Sequence, residues 1–312
     1  MDILSLFIVP ERTKAGYSFA DSPVRISFKE SSVAIYGVPL DITTSFGKGT
    51  SRGPEAIRRT SARQIETFML DEKTNIHELV GIFDLGDLKL PKTKNVNNML
   101  DHLELTIPKV VDSLRNDNKI PVMLGGEHTL SYYQLKALAQ EDPLVIHFDA
   151  HRDLKPIYDG MEICHTTPFY HLINEGYLKG RDLVQIGIRQ CDKNENYFAT
   201  DNEITTFDAW YCYNSFSSLT DWIKSKSRDR NVYISFDIDV YDISYVPCTG
   251  TPEPFGLNPF QICEIINSID DSSNLVGLDF VETGLKNNDY REGALATNTL
   301  LRILTHNFIK NL

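Results

Sequence analysis

Asp149-Ala150-His151-Arg152-Asp153 sets two carboxylates and an imidazole at alternate positions. In extended backbone alternate side chains share a face, so Asp149, His151 and Asp153 converge on one point. The apolar run Leu144 to Phe148 precedes them and reads as a buried strand. Polar ligands crowded at the end of such a strand point to a metal ion, although D-x-H-x-D alone also fits a solvated strand end. Two further segments repeat the pattern. The run Val232 to Phe236 leads into Asp237-Ile238-Asp239, and Ile120 to Leu124 leads into Gly125-Gly126-Glu127-His128. Glycines there let the backbone turn sharply and approach a ligand closely. A lone histidine is commonly a hydrogen-bonded core residue, and a lone aspartate pair an exposed edge. Three such groups, each following a buried run, are poorly explained by solvation.

The six candidate ligands are His128, Asp149, His151, Asp153, Asp237 and Asp239. Six exceed what one structural zinc needs, and no cysteine is placed to join them. A carboxylate-rich site with imidazole suits a harder divalent ion, with manganese the natural candidate. The charge on four ionised aspartates is balanced by two divalent cations. Two such ions about 3.5–4 Å apart can hold a bridging water as hydroxide near neutral pH, which is a hydrolytic nucleophile.

These ligands need a frame that holds strand ends side by side. Apolar, β-branched runs recur at Val33–Val38, Val80–Phe83, Ile120–Leu124, Leu144–Phe148, Leu183–Ile188, Val232–Phe236 and Leu275–Val281. Their near-continuous apolarity predicts strands covered on both faces. Helical patterns lie between them, over Pro54–Arg59, Asn98–Arg115, Thr129–Ala139 and Asn258–Ile269. Alternation of this kind predicts an α/β fold, a mainly parallel sheet with helices on both faces. In such sheets ligands gather beyond the C-terminal strand ends, where all three acid-bearing segments fall. No repeat, low-complexity tract or linker divides the chain, so residues 1–312 read as one domain.

The chain has 312 residues and a formal net charge of -12. That charge disfavours a nucleic-acid partner and is compatible with steering cationic small molecules, or simply with solubility. No apolar stretch reaches membrane-spanning length. Leu4 to Val9 is short, follows an acidic Asp2 and lacks a basic flank, so it reads as a packed N-terminal arm or strand within residues 1–30, not a signal peptide. Five cysteines, odd in number and without C-x-x-C spacing, fit reduced thiols in a cytoplasmic protein. Gly47-Lys48-Gly49-Thr50-Ser51-Arg52-Gly53 superficially resembles a phosphate loop, but its spacing fits neither nucleotide-binding pattern.

The segments GGEHT (125–129), HFDAHRD (147–153), SFDIDVYD (235–242), TGTPEP (249–254) and GLDFVET (277–283) together resemble the ureohydrolase family, which includes arginase and agmatinase. GVPLDITTSF (37–46), RGPEAIR (52–58) and QIGIR (185–189) extend the resemblance from about Val33 to the C-terminus. The resemblance implies a mainly parallel sheet of about eight strands, a homotrimer or homohexamer, and two Mn2+ per chain. One ion falls to His128, Asp149, Asp153 and Asp237, the other to Asp149, His151, Asp237 and Asp239. It implies that Glu282 pairs with the substrate guanidinium, supported by Thr251. It implies that His165 lies at the site mouth and helps Asp153 carry a proton to the departing amine, a task suited to a group titrating near neutrality. Cys164 beside His165 raises a Cys-His nucleophile, which the divergence of neighbouring side chains disfavours.

The family's Asn- and Ser-bearing segment for arginine's α-groups corresponds to residues 154–163 here, which contain neither residue type. Ile243, Pro247-Cys248 and Phe255-Gly256 also depart from the common pattern, around the pocket wall. The expectation is an agmatinase-type enzyme releasing urea and putrescine from agmatine. Arginine and other guanidino or formimino acids are the alternatives. A non-catalytic metal-binding regulator on the same fold is the reading from another class, and a single-zinc deacetylase on a similar sheet is a related enzyme alternative.

Overall fold

The computed structural model describes residues 3–21 and 26–310. Eleven strands are β1 (Phe7–Ile8), β2 (Val33–Gly37), β3 (Phe68–Met69), β4 (Thr74–Asn75), β5 (Ile82–Leu88), β6 (Ile120–Leu124), β7 (Leu144–Phe148), β8 (Leu183–Ile188), β9 (Thr205–Asp208), β10 (Asn231–Asp237) and β11 (Asn274–Val281). Strands β3 and β4 form a small separate hairpin. The other nine make one sheet in the order β1-β5-β2-β6-β11-β10-β7-β8-β9. Its pairings are parallel except at the β1 edge, where Phe7 faces Leu88 in antiparallel register.

Side chains of each central strand divide between two apolar layers. Val33 and Ile35 enter one, Ala34 and Tyr36 the other, as a period of two requires. The first layer packs against the helices Gly53–Arg63, Phe216–Ser227, Pro259–Asn267 and Arg291–Ile309. The second packs against Val96–Asn116, Thr129–Leu138 and Pro168–Asn174. The predicted sandwich of helix, parallel sheet and helix is therefore the observed one. No helix among the described residues is long and apolar enough to cross a membrane.

The N-terminal arm contributes β1. Two elements differ from the sequence reading. The polar edge strand Thr-Thr-Phe-Asp of β9 was not predicted, because it lacks an apolar run. The run at Val80–Phe83 is in fact β5, which starts at Ile82 and continues through Asp84 and Asp87 to Leu88. Two acids persist inside that strand because Arg58, fully buried on the helix Gly53–Arg63, reaches Asp84 at 2.8 Å and Asp87 at 2.5 Å. A buried acid with its own cation is compatible with a strand that sequence pattern alone would end.

Strands β6, β11, β10 and β7 are neighbours at the centre of the sheet. The chain leaves β6, crosses to β7 and β8, then returns to fill the gap with β10 and β11. The C-terminal ends of these four strands lie at a topological switch, the position where open α/β sheets bind ligands.

Candidate metal centre

Each of those four strand ends delivers polar side chains to one buried spot. β6 runs into Gly125-Gly126-Glu127-His128, held by Gly125 N–H on Phe280 O (2.8 Å) and Glu127 N–H on Leu40 O (2.9 Å). A Cβ at Gly126 would stand 1.7 Å from Leu40 O. The glycine thus admits the backbone of the Leu40 segment rather than a ligand, which corrects the reason assigned to it from sequence. Glu282 N–H donates to Gly126 O at 2.7 Å, which sets the end of β11 beside the His128 turn.

His128 Nδ1 lies 3.0 Å from Asp149 Oδ2, 3.0 Å from Asp153 Oδ2 and 3.3 Å from Asp237 Oδ2. It is buried and has no hydrogen-bond partner, because none of these oxygens meets it in donor geometry. A second group lies alongside: His151 Nδ1 is 3.1 Å from Asp239 Oδ2 and 3.4 Å from Asp149 Oδ1. Asp149 therefore turns one oxygen to each group. The six residues named from the motif all converge, although not by plain strand alternation. Asp153 has φ +54°, left-handed backbone, as does Glu282 at +57°. Non-glycine residues reach that region at a cost and hold it where surroundings over-determine them. Both are at least nine-tenths buried.

The electrostatics ask for positive charge. Burial and the charge of Asp149 push the Asp153 carboxyl up to about 7. Burial, Asp239 and Asp149 push Asp237 well above the ordinary carboxylate range. Against the cost of burial, the facing carboxylates hold His128 and His151 well above the usual imidazole range. Protons thus gather where the acids converge, and two divalent cations at the same positions would replace them. A buried, partnerless imidazole nitrogen before three carboxylate oxygens fits a cation ligand set, and the oxygen-rich donors suit manganese or a similarly hard ion.

His147 was not singled out from sequence. Its Nε2 meets Asp149 Oδ2 at 2.8 Å, and its Nδ1 lies 3.2 Å from Gln185 Nε2. His147, His128 and Asp149 present ligand atoms within 4.8 Å of one another, as do Asp149, His151 and Asp239. Both His147 nitrogens already have partners, so His147 supports Asp149, whereas His128 has a nitrogen to give. The signal was present: H-x-D-x-H-x-D continues the alternation back by one step.

Glu282 Oε1 accepts the His128 N–H at 2.9 Å. Burial and the nearby Glu127 push its carboxyl well above the ordinary range. Thr251 Oγ1 donates to Asp239 Oδ2 at 3.3 Å. Its hydrogen bond is thus to Asp239 rather than to Glu282, which Gly250 approaches so closely that a Cβ there would lie 3.1 Å from Glu282 Oε2. His165 is buried beside Ser45, with Nε2 3.1 Å from Ser45 Oγ, and its N–H donates to Thr43 Oγ1 at 3.1 Å. Thr43 is in turn anchored on Glu127. Burial and the neighbouring histidines lower His165 to about 4, not near neutrality as expected. Cys164 turns its thiol to Thr166 Oγ1 at 3.4 Å, and burial raises its pKa, which is no basis for a nucleophile. In the glycine-bearing loop, Asp41 Oδ2 accepts the Gly49 N–H (2.9 Å) and Ser51 Oγ (3.0 Å). A carboxylate fills that turn, so it is no phosphate cradle.

The model of the Arginase family matches residues 31–304. An agmatinase of Bacillus cereus is 35% identical over 260 residues, covering 82% of this chain and 84% of that protein. An N(1)-aminopropylagmatine ureohydrolase of Thermus thermophilus is 31% identical, covering 82% and 83%. The solved proclavaminate amidino hydrolase of Streptomyces clavuligerus superposes with a TM-score of 0.83 at 29% identity, covering 93% of this chain and 96% of that one. The chain belongs to the arginase family. Within that family it is a ureohydrolase enzyme.

Proposed function

We propose that this chain hydrolyses agmatine to urea and putrescine with two Mn2+ per chain. The reading is carried by one observation: two imidazole-carboxylate groups that share Asp149, with the buried Glu282 beside them. It is supported by the agmatinases among its relatives and by the absence of Asn and Ser from residues 154–163. His128, Asp149, Asp153 and Asp237 would hold one cation, and Asp149, His151, Asp237 and Asp239 the other. Two such cations supply the Lewis acidity that makes water a nucleophile near neutral pH.

The protein's own groups do the rest. Glu282 is buried against Glu127, and among the described residues no lysine or arginine pairs with it; a guanidinium supplies a cation and donates parallel N–H bonds that orient it. Closed away from bulk water, that contact fixes the guanidinium carbon for attack. Asp153 takes the proton released by the attacking water and returns it to the departing amine nitrogen. His165 is a neutral ring at working pH, so it must receive a proton before it can give one. Ser45 fixes the orientation of that ring.

The test is urea release by the manganese-loaded chain from agmatine and arginine in parallel, with the bound metal counted. Agmatine is expected to be cleaved and two manganese ions to be retained. Urea from arginine alone replaces the substrate. Urea from neither, or one zinc per chain, removes the reading.

A further inference from the structure

The loop from Thr249 to Pro254 is tied to the site at three points. Gly250 lies against Glu282 Oε2, Thr251 donates to Asp239, and Glu253 Oε1 stands 3.8 Å from His151 Nε2. Arg189 fixes the backbone beneath it. Its guanidinium donates to the carbonyls of Glu253 (3.0 Å), Pro254 (2.9 Å) and Asp239 (2.6 Å). Gln190 Nε2 donates to Glu253 Oε2 at 3.3 Å. The Glu253 side chain is 24% exposed, whereas Asp149, Asp239 and Glu282 are buried. It therefore marks the open rim of the site, on a loop that has little freedom to move. Among the described residues no lysine or arginine side chain pairs with its carboxylate.

Gly250, at the proposed guanidinium acceptor, and Glu253 are three positions apart. An extended chain covers at most roughly 10 Å in that distance. In agmatine six bonds separate the guanidinium carbon from the terminal amine, a comparable reach. Resting on the guanidino-hydrolase reading above, we propose that Glu253 is a specificity residue: it receives the far ammonium of the substrate and selects guanidinoalkyl amines over guanidino acids. A carboxylate accepts a charge-assisted bond from an ammonium and repels a carboxylate in the same place. Gln190 and Arg189 hold the acceptor at a fixed distance from Glu282, so the loop measures the length of the substrate as well as its charge.

A rival role for Glu253 is support of His151, and the test separates the two. Manganese-loaded wild type, Glu253→Gln and Glu253→Lys are assayed for urea release with agmatine, with butylguanidine, which lacks the amine, and with 4-guanidinobutanoate. Bound manganese is counted in each. The kcat/KM ratio of agmatine over butylguanidine is expected to fall about tenfold in Glu253→Gln, the loss of one charge-assisted contact. The fall is expected in KM, with manganese content unchanged. Glu253→Lys is expected to shift preference toward 4-guanidinobutanoate. Equal losses on agmatine and butylguanidine, or loss of manganese, assign Glu253 to His151 and overturn the proposal. An unaltered ratio overturns it as well, while the functional reading stands. Wild type that releases urea from none of the three overturns both.

Discussion

Two buried acid clusters flank β2. On one side, at β5, Asp84 and Asp87 share the guanidinium of Arg58, which also donates to Gly86 O at 3.0 Å. On the other, at the ends of β6, β11, β10 and β7, four aspartates face two histidines. Burial is comparable. The difference is where the balancing charge comes from. The first cluster carries its cation on the adjacent helix, and its geometry is complete. The second is short of positive charge, so it keeps protons on acids that would otherwise ionise. A buried acid whose charge is satisfied from within holds a fold together, and one left unsatisfied awaits something from outside.

The comparison breaks first at its largest expected effect. Asp149→Asn removes the shared oxygen, and urea release is expected to fall more than about 10³-fold with loss of bound manganese. Full turnover in Asp149→Asn would dissolve the distinction. Arg58→Met is the opposite case. It strands two buried carboxylates, so urea denaturation is expected to show a loss of about 3–5 kcal/mol whether or not manganese is present. A variant as stable as wild type would mean that the triad holds nothing.

The site was largely legible because its ligands repeat one short pattern after three apolar runs. The fold was legible for the same reason, since runs buried on both faces announce a parallel sheet. What escaped depends on partners far apart in sequence. Asp84 and Asp87 look like strand breakers until Arg58, 26 and 29 residues away, is known. The left-handed backbone at Glu282 carries no residue-type signal, and that at Asp153 only a weak one, since aspartate visits the region more often than most residues. Thr251 meets Asp239 rather than Glu282, which a motif does not distinguish, since the two acids follow adjacent strands, β10 and β11. His165 was expected near neutrality because proton transfer calls for it; burial and the neighbouring histidines lower it.

The proton content of the second cluster gives the next prediction. Asp153 is raised from 3.8 to about 7 by burial and by Asp149. The folded, metal-free protein therefore holds a proton that the unfolded chain gives up near pH 4. Stability from this group is full below about pH 4 and is lost as pH rises through about 7. Manganese must displace that proton and the one on Asp237, so its affinity moves the other way. Each proton displaced is expected to weaken binding up to about tenfold per pH unit below 7. Calorimetric titration in two buffers of different ionisation heat should show proton release near pH 7. Affinity that stays flat between pH 5.5 and 7.5 would mean the cluster is already ionised.

The smallest effect sharpens the line between holding a cation and holding a ligand in place. His147 donates from Nε2 to Asp149 Oδ2 at 2.8 Å, with Gln185 fixing its other nitrogen. His147→Leu removes that donor without stranding Gln185, whose Nε2 also donates to Arg152 O at 2.7 Å. Outer partners of this kind alter metal affinity by about 10–100-fold. Manganese affinity, read by equilibrium dialysis, is therefore expected to fall about tenfold, with kcat at saturating manganese within a few-fold of wild type. A direct ligand behaves differently, because its loss empties one position and no excess of manganese restores turnover. If saturating manganese fails to rescue His147→Leu, the imidazole belongs with His128 and His151 as a ligand, and the first group has two histidines.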